Sequence, residues 1–247
     1  MGKCTDFIST YITECNTNHI FTFKKKRFGI GLSRTGTTSL TYALHEAGYV
    51  AIHAPLDFFN YTSGKAEIIW NCVEGYDFIG DIMPSLKFRE LAVNYPKAKF
   101  ILTKRDPQKF AKGAKQFFTP KKFLWLTADW LYAQGLFPLP VHQIFCDMYG
   151  PNYLAYDESA WEKVYFTHEE QVRSFFAREA GGRERLLEID LTAGEGWEKL
   201  GPFLNISHPP RPFGTGIPPV NVFVSIVEQS MWSIQNLISW VRWFLVG

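Results

Sequence analysis

Short apolar runs alternate with amphipathic stretches along most of the chain. Phe28–Leu32 is almost wholly apolar, as a strand covered on both faces of a parallel sheet must be, and it predicts the first strand. Thr38–Ala47 carries apolar positions at helical spacing and stops at Gly48, which can close a helix in the left-handed conformation. The rhythm then predicts strands over Tyr49–His53, Asp77–Asp81 and Phe100–Lys104. Helices are predicted over Lys65–Val73, Pro84–Asn94 and Pro107–Phe118, two of them opened by a proline in the first turn. Residues 119–182 read as aromatic-rich and mainly helical, with breaks at Gly135–Pro140 and Gly150–Pro151. Leu186–Ile189 is a fifth strand, and Glu195–Leu204 is the helix after it. Strands alternating with helices imply an α/β fold, a parallel sheet flanked by helices. Ligands of such sheets sit at the carboxyl ends of the strands. Arg34, His53, Asp81 and Arg105 all stand at or just beyond such an end.

The stretch Val220–Val246 breaks the rhythm. Asn221, Ser225, Glu228, Gln235, Ser239 and Arg242 make a narrow polar stripe on an otherwise apolar helical cylinder. Glu228 and Arg242 leave too short a clean run for a spanning helix. The pattern, with Trp232, Trp240 and Trp243, suits a helix lying on a membrane surface or docking a second copy in a homo-oligomer; packing on its own domain is the alternative. Pro218-Pro219 marks the break before it. The expected organisation is an N-terminal segment (1–27), an α/β body (28–219) and a C-terminal apolar helix (220–247).

Composition narrows the function classes. A chain of 247 residues with 46% hydrophobic residues can bury a sizeable core. A formal net charge of +2 gives no reason to expect a nucleic-acid partner. Cys4, Cys15, Cys72 and Cys146 show neither a CxxC nor metal-ligand spacing, so no metal is expected. Met1–Phe23 is polar and lacks the apolar run of a signal peptide, so the expected location is cytoplasmic, with membrane association through the C-terminal helix. Lys24–Arg27 reads as a solvated charge run, with attraction of an anion as the sharper alternative.

The chemistry concentrates in Phe28-Gly-Ile-Gly-Leu-Ser-Arg-Thr-Gly-Thr-Thr-Ser-Leu40, where a strand enters a Gly/Ser/Thr-rich turn and a helix follows at once. Gly31 and Gly36 allow a tight turn, and the amides from Arg34 to Thr38 are expected to converge on an anion at the positive end of the helix. The glycine spacing is that of the nucleotide loop G-x-x-x-x-G-K-[ST], but Thr37 stands where that loop has its Lys. The cation is instead Arg34, ahead of the second glycine.

The run Arg34-Thr-Gly-Thr-Thr-Ser-Leu40 resembles the 5′-phosphosulfate loop of sulfotransferases, enzymes that use 3′-phosphoadenosine 5′-phosphosulfate (PAPS) and release 3′-phosphoadenosine 5′-phosphate (PAP). Lys99–Phe110 is similar to the same family's strand-to-helix junction, which places Arg105 as the 3′-phosphate ligand. Leu186–Asp190 with Gly196–Leu204 resembles the late strand and helix of a soluble subfamily common in microbial eukaryotes. The resemblance implies a P-loop-like α/β fold. It also implies a sulfuryl transfer from PAPS to a hydroxyl or amine of a partly apolar, small-molecule or lipid-like acceptor. Ser33, Arg34, Thr35, Gly36, Thr37 and Thr38 would hold the 5′-phosphosulfate, and Arg105 and Gly113 the 3′-phosphate. Arg34 would also neutralise charge on the leaving oxygen. Asp81 fits the family's carboxylate base, and His53 is the second candidate. Gly113 departs from the pattern, because the family usually has a Ser there; Lys109, Lys112 or the Gly113 amide could replace it. Phe117, Phe118, Trp125 and Trp130 are expected to wall the acceptor pocket.

Two other readings fit parts of the chain. A P-loop small-molecule kinase or NTPase would use Asp81 to hold Mg²⁺, but must do without the loop Lys. A non-catalytic, membrane-associated nucleotide-binding protein would account for the C-terminal helix and Gly113.

Overall fold

The computed structural model describes residues 25–62, 64–119, 130, 133–134, 140–179, 181–207, 209 and 212–213. Val220–Val246 and Trp125 therefore lie outside the described residues. The body is built on β1 (Arg27–Gly29), α1 (Thr37–Glu46), β2 (Ala51–His53), β3 (Phe59–Thr62), β4 (Lys65–Ile68), α2 (Trp70–Glu74), β5 (Phe78–Gly80), α3 (Ile82–Asn94), β6 (Lys99–Thr103), α4 (Pro107–Phe118), α5 (Val141–Tyr149), α6 (Glu158–Arg178), α7 (Gly182–Arg185), β7 (Leu186–Ile189) and α8 (Trp197–Leu204). Five strands form one parallel sheet in the order β2-β5-β1-β6-β7. The chain leaves β1 toward one edge, returns through β5, and crosses to β6 on the other side. The reversal at β1 opens a crevice at the carboxyl ends of β5, β1 and β6.

Residue alternation in the strands assigns the two faces of the sheet. Phe28, Ile79, Phe100 and Leu102 pack with Phe88 and Leu91 of α3, Phe110 and Ala114 of α4, and Val172 and Phe176 of α6. Phe78, Ile101 and Ile189 pack on the opposite face with Leu40 and Leu44 of α1 and Leu200 and Leu204 of α8. Every one of these side chains is buried, and each apart from Ala114 contributes roughly 1.5–3 kcal/mol of transfer free energy. This is the α/β architecture expected from the sequence. An aromatic cluster extends the first core: Phe118 stacks on Trp161 at 5.2 Å and meets Phe145, Tyr149 and Tyr153. Phe118 is thus core rather than pocket wall, and Trp130 is 60% exposed.

Two local expectations are corrected. Lys65–Val73 is not one helix. Lys65 and Glu67 are exposed while Ala66 and Ile68 are buried, a period of two, and the segment pairs antiparallel with Phe59–Thr62 before the short α2 begins at Trp70. Lys26, read as part of a solvated run, is buried; its ammonium donates to the carbonyls of Val73, Glu74 and Tyr76 at 2.8–2.9 Å. Neighbouring Arg27 lies over the Tyr49 ring at 4.3 Å.

Three contacts fix the sheet end at which the loop leaves β1. Gly31 approaches β6 so closely that a Cβ there would stand 1.9 Å from Thr103 Oγ1, 2.6 Å from its carbonyl oxygen and 2.9 Å from its amide nitrogen. Ser85 of α3 donates its hydroxyl to the Gly31 carbonyl at 2.7 Å. His168 of α6 donates Nε2–H to the Ile30 carbonyl at 2.7 Å. Burial pushes His168 down to about 4; the Ile30 carbonyl opposes that shift, and the Arg89 charge adds to it.

Gly31→Ala should therefore destabilise the protein by about 3 kcal/mol in urea unfolding, the upper range for overpacking. Adding Thr103→Ala should not rescue it, because the backbone of Thr103 also blocks the methyl group. Recovery in the double variant would show that only the side chains clash.

His168 adds a pH dependence. An unfolded His titrates near its ordinary value of about 6.5, and the folded value lies below it. The neutral ring's contribution is thus complete above about pH 6.5 and is lost as pH falls toward about 4, on the order of 3 kcal/mol in all. His168→Gln keeps a donor and cannot titrate. Urea unfolding between pH 4 and 7 should show a shallower acid loss in that variant, and parallel curves would contradict the assignment.

Candidate active site

The loop between β1 and α1 ends at Gly36, whose φ of 99° is in the region that favours glycine. Gly36 is the N-cap of α1, and no side chain caps the helix. Its first amides are thereby left for an outside anion, at the positive end of the helix. Three non-glycine residues with left-handed φ stand at neighbouring strand ends: Arg34 (80°) after β1, Ala54 (50°) after β2 and Asp81 (76°) after β5. Each such residue costs on the order of 1–3 kcal/mol and persists only where its surroundings enforce it.

The expected site residues fall into two groups. The first surrounds Asp81, whose side chain is buried. Ser33 donates to Asp81 Oδ1, and Thr37 donates to Oδ2 at 2.6 Å. His53 Nε2 lies 3.1 Å from the same Oδ2, 3.1 Å from Thr37 Oγ1 and 3.2 Å from Thr38 Oγ1. An ionised carboxylate only accepts, so the hydrogen it shares with the ring sits on Nε2, and a neutral ring has its lone pair on Nδ1. Nδ1 is buried with no hydrogen-bond partner among the described residues. Burial pushes the Asp81 carboxyl up, but the His53 hydrogen bond and charge, with the Ser33 and Thr37 donors, outweigh it and hold the group below its ordinary range. Asp81 is therefore an anion with both oxygens engaged, and in the neutral form of the ring His53 Nδ1 carries the uncommitted lone pair.

The second group surrounds Gly113. Arg105 donates from Nη1 to the Arg34 carbonyl at 2.9 Å, and its backbone amide donates to the Tyr165 hydroxyl at 3.2 Å. Its Nε is buried without a hydrogen-bond partner among the described residues. Arg34 is exposed, with its guanidinium carbon 5.5 Å from the centre of the Phe117 ring. Asp106 does not pair with Arg105; it caps α4 by accepting from the Lys109 amide at 2.9 Å.

Thr35 differs from the expectation that it faces an anion. Both its amide and its hydroxyl bond the Leu32 carbonyl, at 3.2 and 2.6 Å, and the hydroxyl pairs with Thr103 at 2.7 Å. Thr35 braces the loop from behind.

Several supporting residues escape a reading of the sequence. Tyr149, at the end of α5, buries its hydroxyl without a hydrogen bond of standard geometry among the described residues. Burial and then the Asp81 charge push it well above the usual phenol range, while the Ser33 side chain and backbone pull the other way. Tyr165 and His168 lie on α6, 60 residues beyond Arg105 and 138 residues beyond Ile30, the residues they steady. Only their shared helix face could have hinted at a common role.

The arrangement offers one anion position at the start of α1 and another at Arg105, with a carboxylate-oriented imidazole beside the first. Among the described residues, no group of three or more His, Cys, Asp and Glu could hold a metal ion, and no helix is long and apolar enough to cross a membrane. No curated protein matches the chain. Residues 26–217 match a family described as a Sulfotransferase domain. With a phosphate-type loop, a strand-end arginine and most of the chain within that match, the protein belongs to the PAPS-dependent sulfotransferase family.

Proposed function

We propose that the protein moves a sulfuryl group from PAPS to a hydroxyl or amine of a partly apolar acceptor, with His53 and Asp81 acting together as the base. The observation that carries this reading is the position of His53 Nε2 among Thr37 Oγ1, Thr38 Oγ1 and Asp81 Oδ2. In a nucleotide loop that uses Mg²⁺, a loop hydroxyl and a strand-end carboxylate hold the ion. Here an imidazole N–H takes those oxygens, and Thr37 replaces the phosphate-binding Lys, which disfavours the kinase reading.

The residues present fit PAPS. The uncapped amides of α1, with Ser33, Arg34, Gly36, Thr37 and Thr38 around them, would hold the 5′-phosphosulfate. The buried, unpartnered Nε of Arg105 suits a 3′-phosphate. When bound, PAPS supplies the sulfuryl group and leaves as PAP. Arg34 brings positive charge to the side where negative charge develops, an electrostatic role that needs no proton transfer. His53 Nδ1 takes the proton of the acceptor hydroxyl. Asp81 fixes the tautomer through Nε2 and stabilises the imidazolium, the logic by which a carboxylate orients a catalytic His. Phe117 beside Arg34 gives the site an aromatic wall suited to an apolar acceptor. The sequence reading of Val220–Val246 adds a membrane-surface or subunit contact to this proposal.

Cofactor choice tests the reading. PAP at 100 times its dissociation constant should stabilise the fold by about 2.7 kcal/mol, with a much smaller effect from ATP and Mg²⁺. A thermal shift with ATP-Mg²⁺ equal to or above that with PAP would favour a kinase.

The base assignment is tested separately. Asp81→Asn and His53→Gln should each lower turnover by about 10²–10⁴-fold with PAP affinity little changed. Because the two act as a unit, the double variant should be no slower than the worse single one. Additive losses, or near-normal turnover in either single variant, would break the pair.

A further inference from the structure

Gly113 stands where the two site arginines meet. A Cβ there would lie 3.6 Å from Arg105 Nη1 and 3.9 Å from Arg34 Nε, ordinary contact distances. Packing therefore does not require glycine at this point of α4. Glycine inside a helix is a stability loss of roughly 0.5–1 kcal/mol relative to alanine. What the missing side chain leaves is a gap bordered by two permanent cations. Arg34 is held on that gap at two points. Its carbonyl is bound by Arg105, and its guanidinium lies against Phe117, one helical turn beyond Gly113. The left-handed φ of Arg34 is part of this arrangement. Two cations approaching one point repel each other unless an anion stands between them, and the buried Nε of Arg105 has no acceptor among the described residues.

We propose that Arg34 replaces the hydroxyl absent at Gly113, so that Arg34 and Arg105 together hold the 3′-phosphate while Arg34 also serves the 5′ end. The inference rests on the PAPS reading given above. A guanidinium offers charge-assisted hydrogen bonds stronger than those of the serine it would replace, and its several donors can be shared between two anions. Arg34 is then a specificity-determining residue for the 3′-phosphate as well as a ligand of the loop.

The test compares calorimetric binding of PAP with that of adenosine 5′-monophosphate, which lacks the 3′-phosphate. Arg105→Ala should weaken PAP by about tenfold or more and leave the monophosphate nearly unchanged. Arg34→Ala should weaken both, and PAP by about ten times more than the monophosphate. In the Arg34→Ala background, Gly113→Ser restores a hydroxyl at the gap and should recover part of the lost preference for PAP. Equal losses for both nucleotides in Arg34→Ala, or a preference that Gly113→Ser leaves unmoved, would overturn the inference and leave the PAPS reading standing. A wild-type protein that binds PAP no better than the monophosphate would instead overturn that reading, and this inference with it.

Discussion

The buried carboxylate of Asp81 organises the carboxyl end of the sheet. It joins three elements that are distant in sequence: the loop after β1 through Ser33 and Thr37, the end of β2 through His53, and the start of α3 through its own backbone. Burying an unpaired carboxylate would be prohibitive. Three donors converge on this one, so the anion is kept and the donors are locked in place. The same contacts choose the tautomer of the neutral imidazole and turn the Ser33 and Thr37 hydroxyls toward the carboxylate.

Around that anchor the fold behaves as a frame that fixes the separation of the two proposed anion positions. One belongs to β1 and α1, the other to β6 and α4. The close approach of Gly31 to Thr103 sets the distance between the two strand ends, and α6 spans both through His168 on Ile30 and Tyr165 on Arg105. Burial and the nearby Glu169 carboxylate push the Tyr165 hydroxyl up, and Glu169 pairs with Arg173. Arg173 binds Glu188 through two nitrogens, and Glu188 reaches Lys104 beside Arg105. This chain of partly buried charges closes on the strand end it starts from.

The strained residues Arg34, Ala54 and Asp81 cluster at the same rim, each just beyond one of three adjacent strands. In the two that carry charge, the unusual backbone accompanies a polar contact across the rim: the Arg34 carbonyl with Arg105, and the Asp81 carboxylate with Thr37 and His53. Strain of this kind is retained where function needs an orientation that ordinary turns do not supply.

Much of this was legible in the sequence because it depends on local rules. Buried parallel strands must be short and apolar, so β1, β5, β6 and β7 announced themselves, and the phosphate-type loop needs its glycines wherever it occurs. Arg34, His53, Asp81 and Arg105 could be placed at one rim because a parallel sheet aligns its strand ends. The hairpin at Phe59–Ile68 was misread because Lys65–Val73 also carries apolar residues at helical spacing, and only the pairing of Ala66 with Tyr61 makes a period of two decisive. Lys26 looked solvated because nothing in its neighbours reveals that three carbonyls from Val73, Glu74 and Tyr76 wait for its ammonium. Tertiary structure alone decided that Thr35 bonds Leu32 and Thr103, that His53 Nε2 sits among the oxygens of Thr37, Thr38 and Asp81, and that Gly113 lies beside two arginines. Each of these depends on a distance between atoms far apart in the chain, and a linear pattern contains no such distance.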